Sequence, residues 1–120
     1  MAKILIIDDA SDIREALEII LSDHEITTHL SGKNALNALC DTQFDLVITD
    51  ILMPDTDGFD VIKFIQQMAN PPKVIAMSGG GVTLSSQQAL DIVKENVSVL
   101  LEKPFSKDTL QAVVNDVLSA

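Results

Sequence analysis

Lys3-Ile4-Leu5-Ile6-Ile7-Asp8-Asp9 is the stretch on which the fold turns. Four aliphatic residues in a row, three of them β-branched, read as a strand buried on both faces, because alternate side chains leave a strand on opposite sides. Two carboxylates close it. The same pattern returns three times. Asp50 closes Leu46-Val47-Ile48-Thr49, Ser78 closes Val74-Ile75-Ala76-Met77, and Lys103 follows Val97-Ser98-Val99-Leu100-Leu101-Glu102. In parallel sheets the ligand crevice lies outside the carboxyl ends of the strands. Three carboxylates, one hydroxyl and one ammonium are therefore expected on a single rim. That set suits a divalent cation and a phosphoryl group, with Asp50 the expected acceptor.

Helical spacing fills the intervals between these runs. Ser11–Ser22 places Ile13, Leu17, Ile20 and Leu21 on one face. Ser11 or Asp12 is the expected cap, with Asp12 and Glu15 in capping-box spacing. Ile26–Leu30 is a shorter, more polar strand, as an edge strand should be. Ser31-Gly32 opens a helix carrying Ala35, Leu36, Leu39 and Cys40. Asp45–Asp50 is the third strand, and the turn-forming loop Ile51–Gly58 follows it. A third helix, Phe59–Met68, stops before Asn70-Pro71-Pro72, because proline cannot continue it. Lys73–Ser78, a glycine run Gly79-Gly80-Gly81, a helix over Leu84–Glu95, the strand Val97–Glu102 and a last helix from Ser106 to Leu118 complete the chain.

Strands alternating with helices must pair in parallel through right-handed crossovers. The expected fold is α/β: a five-stranded parallel sheet with helices on both faces, flavodoxin-like and doubly wound. A strongly apolar first strand and a weak second one fit the order 2-1-3-4-5. That order sets a switch point between strands one and three, beside Asp8, Asp9 and Asp50. No linker or repeat divides the chain, so residues 1–120 read as a single domain.

At 120 residues the chain can bury an unaided core, and with 47% hydrophobic but only 3% aromatic residues that core must be aliphatic. A net charge of −10 excludes the basic surface on which nucleic-acid binding relies. Cys40 is the only cysteine, so no internal disulfide can form, and a buried or half-buried thiol is expected. Met1-Ala2-Lys3 enters the first strand without a signal peptide, and no apolar run approaches the ~20 residues of a membrane span. A cytoplasmic protein is the expectation.

Three carboxylates held close together repel unless a cation compensates. Mg²⁺ suits them, being a hard ion that takes oxygen ligands, keeps waters and uses few carboxylates. Lys103 is expected among them, offsetting charge and binding a phosphoryl oxygen. Ser78, before a glycine run that lets the backbone approach closely, is expected to aim its hydroxyl at an anion. Other motifs fail by residue identity. A calcium loop with Gly58 at its sixth position lacks acids at Met53 and Phe64, and no Gly-Lys-Ser/Thr triplet supplies a P-loop. His24 and His29 have no ligand-spaced partners and read as surface residues.

The acid pair Asp8-Asp9, the stretch Asp50-Ile51-Leu52-Met53-Pro54 with Gly58, the segment Met77-Ser78-Gly79, and Lys103-Pro104-Phe105 together resemble the receiver (CheY-like) domain of bacterial two-component response regulators. The resemblance covers the whole chain and implies the same strand order. It implies Asp50 as phosphoacceptor, fed by a sensor histidine kinase or histidine phosphotransfer protein. It implies Mg²⁺ held by Asp9, Asp50 and the Leu52 carbonyl, with Asp8 acting through a metal-bound water. Lys103 would contact the phosphoryl group, Ser78 would be the switch hydroxyl, and Lys103-Pro104 would be a cis peptide. Pro54 and Gly58 would shape the loop after the acceptor.

Phosphorylation would alter the surface of the fourth helix, fifth strand and fifth helix, read by a downstream effector protein or output domain or by a homodimer. No turnover of an external substrate is implied. Many receivers carry Tyr or Phe where Leu100 stands, so output is expected through the Gly79–Thr83 backbone or through dimerisation. A phosphohydrolase with an aspartyl nucleophile would want a second aspartate where Leu52 stands. A binding module that is never phosphorylated would not need the complete set of acids, hydroxyl and lysine.

Overall fold

The computed structural model describes residues 2–51, 58–78 and 97–119. Among the described residues nine elements follow in order: β1 (Lys3–Ile7), α1 (Ser11–Ile20), β2 (Glu25–His29), α2 (Gly32–Asp41), β3 (Leu46–Asp50), α3 (Gly58–Gln66), β4 (Lys73–Ser78), β5 (Val99–Glu102) and α4 (Lys107–Ser119). The expected helix Leu84–Glu95 lies outside the described residues. All strands pair in parallel in the order β2-β1-β3-β4-β5, the order that the weak second run fits and the family resemblance implies.

Period-two alternation sorts the strand side chains into two cores. Ile4 and Ile6 of β1 join Leu46, Ile48, Ile75 and Met77 beneath α1 and α4, which contribute Leu17, Leu110, Val114 and Val117. Leu5 and Ile7 point the other way, with Val47 and Val74, toward Ala35 and Leu39 of α2 and Val61, Ile62 and Ile65 of α3. The chain steps from β1 outward to β2 through α1, then back across the sheet through α2 and α3. One hand of crossover therefore puts α1 on the opposite face from α2 and α3.

Central strands β1 and β3 are buried throughout beyond Lys3, whereas the edge strand β2 is half-buried and starts at Glu25. Leu30, expected in that strand, lies beyond it and is exposed. Ser31 caps α2, its hydroxyl accepting from the Asn34 N–H at 3.4 Å, and Ser106 caps α4, accepting from the Thr109 N–H at 3.1 Å.

Three expectations are corrected. Neither Ser11 nor Asp12 caps α1: both lie inside it, and the cap position is Ala10, with no side-chain capping bond. Asp8 ties that turn instead, accepting from the Ala10 N–H at 2.9 Å. Cys40 is exposed, because Ala35 and Leu39 define the inward face of α2 and Cys40 stands one position round from Leu39. His24 and His29 are half-buried rather than on the open surface, and His24 Nδ1 accepts from the Ala2 N–H at 3.1 Å.

Candidate functional site

Parallel register assembles the site. Ile7 lies opposite Thr49, so Asp8, one residue further on, comes level with Asp50. Asp50 lies opposite Met77, and Ser78 opposite Glu102. The Lys103 N–H then donates to the Ser78 carbonyl at 2.8 Å, continuing the β4–β5 ladder by one bond. Asp8, Asp50, Ser78 and Lys103 thus stand at the carboxyl ends of four adjacent strands, Asp8 and Asp50 level with each other and Ser78 and Lys103 one and two residues beyond that level. Lys103-Pro104 is a cis peptide, as the resemblance implies.

Lys103 Nζ donates to Asp8 Oδ2 at 2.7 Å and to Asp50 Oδ2 at 3.1 Å. Asp8 is fully buried, and Asp50 and Ser78 are each only 9% exposed. A buried carboxylate without partners would be costly. Here every polar atom of Asp8 is engaged. Its N–H donates to the His29 carbonyl, its carbonyl accepts from Arg14, and its two carboxylate oxygens accept from Ala10 and Lys103. Burial of the Lys103 ammonium disfavours its charge, but hydrogen bonds and attraction from Asp8, then Asp50, outweigh that and hold its pKa above the ordinary 10.5. The lysine is therefore a fixed cation at neutral pH.

One oxygen from each of Asp8, Asp9 and Asp50 lies within 4.8 Å of the others. Mg²⁺ is a hard ion that takes oxygen ligands and uses few carboxylates, so carboxylate oxygens this close together could hold one. The donor set fits a hard divalent cation.

Of the other residues singled out, Gly58 begins α3. Leu100 lies on β5, 41% exposed. Leu52, Pro54 and Gly79–Thr83 lie outside the described residues. Two contacts have no counterpart in the sequence reading. Arg14 Nη1 donates to the Asp8 carbonyl at 2.7 Å, and the buried Thr49 hydroxyl donates to the Asp50 carbonyl at 3.0 Å. The available signal for Arg14 was that it is the one basic residue in the acidic stretch Ser11–Ile20.

The doubly wound order, with its acid-rich rim at the switch point, places the chain in the flavodoxin-like class of α/β proteins. Residues 4–115 match the response regulator receiver domain family, and the chain belongs to that family. It is 35% identical over 118 residues to the response regulator protein PilR of Pseudomonas aeruginosa, covering 97% of this chain and 26% of PilR. Among solved structures, a response regulator receiver domain protein from Clostridium thermocellum is 29% identical, with a TM-score of 0.85 over 99% of this chain and 95% of that one. NtrX from Brucella abortus, solved with ADP, is 32% identical with a TM-score of 0.85, over 98% of this chain and 27% of NtrX. The chain spans about a quarter to under half of the length of such curated relatives as PilR, a ycf27 regulator of Guillardia theta and NtrC of Azospirillum brasilense. Receiver domains are signalling modules rather than substrate-turnover enzymes. Among the described residues no helix is long and apolar enough to cross a membrane.

Proposed function

We propose that residues 1–120 form one cytoplasmic receiver domain in which Asp50 accepts a phosphoryl group from a histidine kinase or phosphotransfer histidine. The observation that carries this reading is the Lys103 ammonium, bonded at once to buried Asp8 and to Asp50, beside a third carboxylate within reach of the same cation. Phosphoryl transfer asks little covalent work of a protein and much positioning and charge neutralisation. An Asp50 oxygen forms the new O–P bond as the P–N bond of the phosphohistidine breaks, and the electron pair leaves with the imidazole nitrogen. Lys103 stands where it can follow a phosphoryl oxygen. Asp9 and Asp50 would hold Mg²⁺ directly and Asp8 through water, and the ion supplies further neutralisation of the phosphoryl oxygens.

Phosphorylation adds about one negative charge at Asp50 and three acceptor oxygens. Ser78 is one residue beyond the β4 partner of Asp50, so its hydroxyl is the expected neutral donor to those oxygens. The change then biases the surface of the helix expected over Leu84–Glu95, of β5 and of α4, read by an effector, an output domain or a second copy. Incubation with acetyl phosphate and Mg²⁺ should add one phosphoryl mass to the wild-type chain and none to Asp50→Asn. An equal increment in the variant would remove Asp50 from this role.

A further inference from the structure

The β1–α1 turn carries both Asp8 and Asp9, its cap position Ala10 makes no side-chain bond, and the Asp8 carboxylate ties it at the Ala10 N–H. Arg14 adds a second restraint from one helical turn away. Its N–H donates to the Ala10 carbonyl at 3.1 Å, and its guanidinium donates to the Asp8 carbonyl at 2.7 Å. That carbonyl belongs to the peptide joining Asp8 to Asp9. A peptide is planar, so holding its oxygen fixes the orientation of the following N–Cα bond, the axis about which φ then sets the direction of the Asp9 side chain. Asp8 is already fixed by contacts at its N–H and both carboxylate oxygens. Asp9 is exposed, and one of its oxygens lies within 4.8 Å of oxygens of Asp8 and Asp50.

We propose that Arg14 is a positioning residue for the cation site, acting through the Asp8 carbonyl to aim the Asp9 carboxylate at the shared ion. The inference rests on the reading of Asp8, Asp9 and Asp50 as a Mg²⁺ site. Its strength is that the two things Arg14 could do for the ion have opposite signs. As a nearby positive charge it repels Mg²⁺, so neutralising it would tighten binding. As the clamp on the Asp8–Asp9 peptide it assembles the ligands, so removing it weakens binding.

The test is Mg²⁺ titration of the wild-type chain and Arg14→Gln, followed by amide NMR at Asp8, Asp9 and Asp50 without any phosphodonor. Partners that orient metal ligands typically cost at least tenfold in affinity when removed, so the Arg14→Gln Kd should rise about tenfold. Arg14→Lys keeps the charge but not the planar fork, and should fall between the two. A purely structural role would lower the melting temperature while leaving the Kd of the folded protein where it was. An unchanged or tighter Kd in Arg14→Gln therefore overturns the proposal, and if that variant does not fold, an unchanged Kd in Arg14→Lys does the same. Failure of the wild-type amides to respond to Mg²⁺ would remove the cation reading itself and this inference with it. A normal wild-type response with a normal Arg14→Gln response removes Arg14 alone.

Discussion

At the amino-terminal rim of the sheet Lys3 meets Glu25 at 3.8 Å with both side chains more than half exposed, while at the carboxyl-terminal rim Lys103 meets a fully buried Asp8 at 2.7 Å. The residue types are the same. Their surroundings are not. At the amino rim, polar side chains mostly finish the fold: Asp45 accepts from the Lys3 N–H at 2.8 Å, and Lys73 donates to the Val117 carbonyl near the end of α4 at 3.0 Å. These contacts satisfy backbone groups that helix and strand ends leave open. At the carboxyl rim the nearly buried Asp8 and Asp50 meet one ammonium, and an oxygen of exposed Asp9 lies within 4.8 Å of theirs. The difference teaches where a parallel sheet keeps its chemistry. Its carboxyl ends face an open crevice at the switch point, where side chains can converge on a ligand instead of on the chain itself.

The largest effect expected from this contrast is at Lys103. Removing one partner of a buried ion pair leaves the other charge uncompensated, at a typical cost of about 3–5 kcal/mol. Lys103→Met should therefore lower stability by about 3 kcal/mol in chelator, read by urea unfolding, and added Mg²⁺ should recover part of the loss. The same measurement has a pH signature. Because the folded-state pKa of Lys103 is raised above 10.5, its contribution is fully present below 10.5 and is lost as pH rises through the higher folded value. Wild-type stability should lose this component in that alkaline window, and Lys103→Met should lack it. A Lys103→Met chain as stable as wild type in chelator would erase the distinction between the rims.

Much of this contrast was legible before any coordinates. Each apolar run ends in its own polar residues, so a parallel sheet brings Asp8, Asp50, Ser78 and Lys103 to one rim, and the weak second run fits the edge. What escaped was local. Ser11 and Asp12 have good capping chemistry, but the decision fell to Asp8, which reaches the Ala10 N–H from the strand side, and no local propensity reports a bond made backward into a strand end. Cys40 shows the limit of helical spacing in a short amphipathic helix: a residue one step from the buried Leu39 falls on the open side, and only the packing of α2 against the sheet decides which side that is. Arg14 escaped because its partner is a main-chain carbonyl, to which sequence spacing is blind.

A medium effect is expected within the carboxyl rim, between Ser78 and Leu100. Ser78 is nearly buried beside the acceptor, and Leu100 sits 41% exposed on β5. Ser78→Ala should still become phosphorylated, since charge neutralisation falls to Lys103 and the cation. It should lose a hydrogen bond to a charged group, worth about 1.5–3 kcal/mol, which matches a typical allosteric coupling of about 1–3 kcal/mol. Beryllofluoride-induced NMR shifts on β5 and over Leu84–Glu95 should therefore collapse in Ser78→Ala and persist in Leu100→Ala. The reverse pattern would move the switch from the hydroxyl to the leucine.

The smallest effect, and the control for the whole comparison, is at the other rim. Lys3 and Glu25 lie opposite each other across β1 and β2, and that pairing alone could suggest a stabilising cross-strand pair. Both side chains are mostly in water, however, at 52% and 61% exposure, and their closest approach of 3.8 Å is near the limit for an ion pair. Water screens such a pair, and holding two long side chains in one geometry costs rotamer entropy, so exposed pairs are worth about 0.2–1 kcal/mol. A double-mutant cycle with Lys3→Met and Glu25→Gln should give a coupling of about 0.5 kcal/mol or less in urea unfolding, shrinking further when salt is raised. A coupling near that expected for Lys103, persisting in salt, would mean that the amino rim also holds strongly interacting charge, and that position on the carboxyl side of the sheet is not what sets the site apart.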